Sequence, residues 1–183
     1  DGLDRDKKEA LYNALIREKG LRDDNRLKNF TPYADGFQEP FMRSCAKVRF
    51  CAAGNQSGKT HMGAAETAFY ALGVHPYKNI TTPNIGRIVT GQGFNTGIEE
   101  VILTKILSVV GSKDIKKIVT NSQGNPVKIL WRNGSATQLM SSDQDDDVFE
   151  GDTIDYAWFD EPIRRAIYIA TKRGFLSTGG HLW

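Results

Sequence analysis

Cysteine is scarce in this 183-residue chain, which has only Cys45 and Cys51. Two thiols cannot build the dense disulfide framework of a small secreted scaffold, and they suit free, buried thiols in a reducing compartment. Long apolar runs are missing too: the longest, such as Tyr156-Ala157-Trp158-Phe159, fall far short of a membrane span. No charged-then-apolar leader opens the sequence, so these residues announce no secretory signal. Neither sign of charge is in excess, with 24 Lys and Arg against 22 Asp and Glu. That balance does not by itself advertise a nucleic-acid surface. There is no internal repeat and no low-complexity tract. Together these absences lead us to expect a soluble, intracellular protein that does not engage a membrane.

What remains is ordinary globular material. The apolar set makes up 39% and glycine adds 18 residues, a composition that rules out a disordered or collagen-like chain. The length suits one domain with a sizeable core and a small appendage. Residues Asp4 to Lys19 carry Leu11 and Leu15, and Tyr12 and Ile16, at four-residue spacing, the pattern of an amphipathic helix, with Gly20 as its stop. Residues 21–45 are polar and hold Pro32, Gly36 and Pro40, which reads as a connecting arm with little regular structure. The division expected is a helix and arm over 1–45 and a core over 46–183.

Within the core, Val48 to Ala52 reads as a short buried strand, followed by a glycine-bearing turn and an Ala-rich helix from Lys59 to Leu72. Arg87 to Thr90 is a second strand, and Ile98 to Val110 is a helix by its apolar spacing. Val127 to Trp131 and Ser135 to Met140 flank Asn133-Gly134, a strong hairpin signal. Ile154 to Phe159 is a further buried strand, and Gly179 to Trp183 resembles a turn leading into a strand that is cut short, as in a fragment of a longer protein. Strands alternating with helices predict an α/β domain with a mainly parallel central sheet flanked by helices, carrying an antiparallel hairpin insertion.

Two segments carry chemistry. Ala53-Gly54-Asn55-Gln56-Ser57-Gly58-Lys59-Thr60 has the form A-x-x-x-x-G-K-T, a phosphate-binding loop whose first glycine is replaced by alanine. In such a loop, backbone N–H groups and a helix N-terminus converge on β- and γ-phosphates. Lys59 adds a point charge and Thr60 a hydroxyl for Mg²⁺, while a Cβ at Gly58 would hold the phosphate off the backbone. The second segment, Ile154 to Glu161, is an apolar strand ending in two acids. Asp160 is placed to hold a Mg²⁺ shell, and Glu161 to polarise a water for attack on the γ-phosphate. With no Asn-Lys-x-Asp guanine reader in the sequence, ATP is favoured over GTP.

Four stretches, "CAAGNQSGKT" at 51–60, "GRIVTGQGFNTGIEEVIL" at 86–103, "NGSATQ" at 133–138 and "FEGDTIDYAWFDEP" at 149–162, resemble the ATPase domain of tailed-bacteriophage terminase large subunits. The resemblance runs in order over about residues 30 to 183. It implies a P-loop NTPase fold of the additional-strand, catalytic-glutamate type, in which ATP hydrolysis drives double-stranded DNA into a procapsid. Carried over, it makes Lys59 and Thr60 the phosphate and Mg²⁺ ligands, Asp160 the metal acid and Glu161 the catalytic base, with Gly54 to Thr60 around the nucleotide. It also implies an adenine-reading glutamine upstream of the loop, for which Gln38 stands between Pro32 and Phe41 at altered spacing.

Where many members carry an arginine in the loop this chain has Gln56, and where others carry one ahead of the acidic strand it has Glu150. Arg87, Arg132, Arg164 and Arg165 remain candidates for an arginine that stabilises the transition state, each explicable singly as a surface or ion-pair residue. The same family implies a homo-oligomeric ring, a portal protein and a small terminase subunit as partners, and action in the host cytoplasm at the portal vertex. Its coupling motif and nuclease domain have no counterpart in these residues, so no DNA cleavage is expected from the chain. A helicase-like motor and an ATP-gated binding module are the alternatives. The basic clusters Lys113/Lys116/Lys117, Arg164/Arg165 and Lys172/Arg173, and the acidic run from Asp143 to Asp147, read as solvated surface.

Overall fold

The computed structural model describes residues 5–20, 26–33 and 36–183. Asp4, part of the arm at 21–25, and residues 34 and 35 lie outside the described residues. The first helix, α1, runs Arg5–Gly20. Of its expected apolar stripe, Tyr12 and Ile16 are buried in the main core while Leu11 and Leu15 face outward, half exposed. Within the arm a short helix, α2 (Gln38–Arg43), forms where no regular structure was expected, and it buries Gln38 and Met42.

The helix α3 spans Lys59–Leu72, as its alanines predict. Every residue from Met62 to Ala71 is buried, because α3 lies against the sheet on one side and is covered by the arm on the other. Strand β1 (Ile85–Thr90) is nearly all buried, as a central parallel strand must be. The helix predicted at Ile98–Val110 begins earlier, as a π-helical stretch Phe94–Leu103, and continues as α4 (Thr104–Val109).

Three antiparallel-linked strands follow: β2 (Ile115–Thr120), β3 (Pro126–Trp131) and β4 (Ala136–Ser141). The Asn133-Gly134 turn joins β3 to β4 as expected, with Gly134 at φ 91°. The hairpin is nevertheless not a simple insertion, since β4 also pairs in parallel with β1 and so belongs to the central sheet. A 3-10 turn at Asp146–Phe149 leads to β5 (Tyr156–Asp160), α5 (Arg165–Gly174) and β6 (His181–Leu182). The sheet order is β2-β3-β4-β1-β5-β6, parallel from β4 to β6 and antiparallel across β2, β3 and β4.

One expected element is much reduced. Val48 to Ala52 contributes a single parallel bridge, Val48 to Leu182, instead of a buried strand. Its one neighbour, β6, is two residues long, so the ladder ends at once; Val48 is 44% exposed and Phe50 89%. The bridge still fixes the topology. β6 lies between the segment that enters the phosphate loop and the acidic strand β5, the place that the additional strand was expected to take.

Candidate functional site

The loop from Ala53 to Gly58 leaves the sheet edge and delivers the chain into α3. Its tip, Gly54, Asn55 and Gln56, is exposed, and Ser57 is half-buried with a hydroxyl that has no hydrogen-bond partner. Gly58 has a left-handed backbone, φ 88°. A Cβ there would come within 2.7 Å of Gln38 Nε2 and 2.8 Å of the Tyr33 ring, so both conformation and contact demand glycine. Lys59 Nζ donates to the carbonyls of Ala53 and Gly54, the latter at 2.6 Å, and closes the loop on itself.

The acidic strand meets this loop. Thr60, in the first turn of α3, donates its hydroxyl to Asp160 Oδ1 at 3.4 Å, linking residues 100 apart in sequence. A close approach lower down makes this possible: Gly63 faces the Trp158 ring so tightly that a Cβ would lie 2.4 to 2.8 Å from its atoms. Burial, and then the charge of Glu161, push the Asp160 carboxyl above its ordinary range, against the opposing pull of Thr60 and Lys59. A hydroxyl beside a carboxylate that lacks sufficient positive charge is a hard-oxygen pair that suits Mg²⁺. The residues present therefore fit a divalent ion, and the unpartnered Ser57 hydroxyl and open α3 N-terminus fit a phosphate chain.

Glu161 is exposed and held by its neighbours. Its backbone is left-handed at φ 78°, and Gln56 in the loop, φ 59°, is the other non-glycine residue with positive φ among the described residues. Each such residue costs on the order of 1 kcal/mol or more, and strain of this kind gathers at functional sites. Gln92 Nε2 donates to Glu161 Oε1 at 3.1 Å. Gln92 is itself fixed at the end of β1, where its N–H donates to Thr90 Oγ1 and its carbonyl accepts from Ser141 Oγ. Sequence reasoning assigned Gln92 no role, although its position between Gly91 and Gly93 in the segment after a strand was the available signal.

The remaining expected residues are also placed. Gln38 is 1% exposed; its Oε1 accepts from Tyr33 N at 2.9 Å and its Nε2 donates to Gly58 O at 3.2 Å. Arg87 is buried and pinned to Asp152 at 2.8 Å, Gln138 and the Phe149 carbonyl, which makes it an ion-pair residue of the sheet. Arg164 binds Asp146 at 2.9 Å, and Glu150 pairs with Arg173 of α5 on the surface.

The family model for the N-terminal part of the terminase large subunit, T4likevirus-type, matches residues 50–181. Among solved structures, the ATPase domain of the large terminase of Thermus phage P74-26 superposes with a TM-score of 0.63 at 20% identity, over 86% of this chain and 65% of that one. An arginine-to-alanine variant of the same domain gives a TM-score of 0.62 at 20% identity, over 86% and 66%. At such identity the likeness speaks for the fold, and the chain spans about two thirds of that domain's length. Curated protein sequences give no match. Covering well over half of the residues, the family match shows that this chain belongs to the T4-type terminase large subunits, in their N-terminal region.

Proposed function

We propose that the chain is a Mg²⁺-dependent ATPase, the motor domain that drives double-stranded viral DNA into a procapsid. The observation that carries this reading is the contact of Thr60 with Asp160, which brings the phosphate loop and the acidic strand into one site with Glu161 beside it. On this reading Gly54, Asn55, Gln56, Ser57 and Gly58 wrap the phosphates through their backbone, and Lys59 exchanges its loop carbonyls for β/γ oxygens. Thr60 and Asp160 would hold Mg²⁺, which when bound neutralises charge on those oxygens. Glu161 takes a proton from the attacking water, and Gln92 keeps its carboxylate at the strand end until then. Membership of the family supports DNA, a portal protein, a small terminase subunit and a ring of copies at the portal vertex as the partners of this activity.

The test is steady-state Mg²⁺-ATP hydrolysis set beside equilibrium ATP binding. Glu161→Gln is expected to bind ATP like the unaltered chain and to lose on the order of a hundredfold or more in turnover. Normal turnover by that variant would remove Glu161 as the base. Repeating the assay over a wide range of protein concentration tests the ring: a specific rate that climbs with concentration is expected where a neighbouring copy completes the site.

A further inference from the structure

The nucleotide site described so far has a phosphate end and a metal end but no surface for the base. The arm supplies one. Phe30 packs on His61 with ring centroids 5.5 Å apart and edge-on to Phe69 at 6.0 Å, which lays this part of the arm along the N-terminal half of α3. Three residues on, Tyr33 is 59% exposed, yet its ring edge rests against Gly58: Cε2 and Cδ2 lie 2.8 and 3.5 Å from where a Cβ would stand. An aromatic ring with one edge on the phosphate loop and most of its surface in solvent is a poor core residue. It is a ready platform for a flat, apolar face. Gln38, in contrast, is buried and spends its amide inward, accepting from Tyr33 N and donating to Gly58 O.

We infer that the Tyr33 ring is the stacking surface for the nucleobase, and that Gln38 is a positioning residue that fixes Tyr33 on the phosphate loop. This rests on the nucleotide reading proposed above and deepens it. Stacking uses the π-face that every base has, so Tyr33 adds affinity without reading base identity. Its phenolic hydroxyl plays no part, because the ring face alone does the work.

Equilibrium binding of Mg²⁺-ATP, Mg²⁺-GTP and base-free inorganic tripolyphosphate to the full chain tests the inference. Tyr33→Ala is expected to weaken ATP and GTP alike by about 5- to 100-fold, the range of a lost base–aromatic stack, and to leave tripolyphosphate unchanged. Tyr33→Phe should restore both nucleotides. Gln38→Ala should weaken ATP, and adding it to Tyr33→Ala should cost little more, as expected for a residue acting through Tyr33. Lys59→Ala is the control and should lose all three ligands. ATP binding unchanged in Tyr33→Ala while Lys59→Ala fails would overturn the inference and leave the nucleotide reading standing. If Lys59→Ala bound all three normally, the nucleotide reading would fall and the role of Tyr33 with it.

Discussion

The two carboxylates at the end of β5 are adjacent in sequence but differ in backbone and surroundings. Asp160 still belongs to the strand and is partly buried, whereas Glu161 is exposed and left-handed. Because burial holds the Asp160 carboxyl above its ordinary range, its neutral form is the one that the fold favours. The ionised form therefore weighs against folding as pH rises above the ordinary aspartate range, and in acid the penalty is gone. Asp160→Asn removes that charge and keeps an acceptor for Thr60. It should melt higher than the unaltered chain near neutral pH, with the gap closing as pH falls, and it should lose Mg²⁺-dependent turnover. Thermal melts across pH check this, and a lower melting temperature at neutral pH would contradict it. Asp160 and Glu161 were legible in the sequence because two acids ending an apolar run are conspicuous. Gln92 was not, since a glutamine in a glycine-flanked loop carries no mark of the carboxylate that it holds.

Among the elements, α3 and β5 do most to form the site, and both were readable: one from alanines behind a Gly-Lys-Thr, the other from a continuous apolar run. Their mutual distance was not readable, because it depends on Gly63 meeting Trp158 across 95 positions that no local pattern connects. β2 was missed for a related reason. Lys116 and Lys117 interrupt the alternation of Ile115–Thr120, and the register shifts between Ile115 and Lys117, so the segment read as a solvated basic cluster. The segment at Val48 erred in the other direction, since its residues suit a strand but its place at the sheet edge allows one bridge. Gly63→Ala tests the α3–β5 contact. The new methyl would overlap the Trp158 ring, and forcing the helix away should cost about 1–3 kcal/mol of stability, with a fall in turnover as Thr60 leaves Asp160. Denaturant midpoints and ATPase rates measured together check it; a stable, fully active variant would show that the helix position does not set the site.

For the molecule as a whole, the question is what holds the arm to the core, since Tyr33 and Gln38 reach the loop from outside the sheet. The answer centres on Glu66 of α3, which is fully buried. It binds Arg49, His75 at 2.9 Å and Lys78 at 3.2 Å. Arg49 and Lys78 in turn donate to the carbonyls of Phe41 and Met42 in α2. One carboxylate thus ties the arm, the segment entering the phosphate loop, α3 and the 75–78 turn to one another. Burial alone would raise the Glu66 carboxyl, but His75, Arg49 and Lys78 together pull it below its ordinary value. A depressed acid contributes stability that is present above its unfolded pKa and lost as pH falls through its folded one. Glu66→Gln leaves two cations buried without a counter-charge, a change that typically costs about 3–5 kcal/mol. Urea midpoints should therefore lie well below those of the unaltered chain at neutral pH, and the two curves should converge in acid, where Glu66 is protonated in both folded and unfolded states. The arm should loosen first, seen as faster amide exchange at residues 38–43 than in β1. Parallel midpoints at every pH would mean that Glu66 contributes through packing alone, and that its charge does not join the arm to the core.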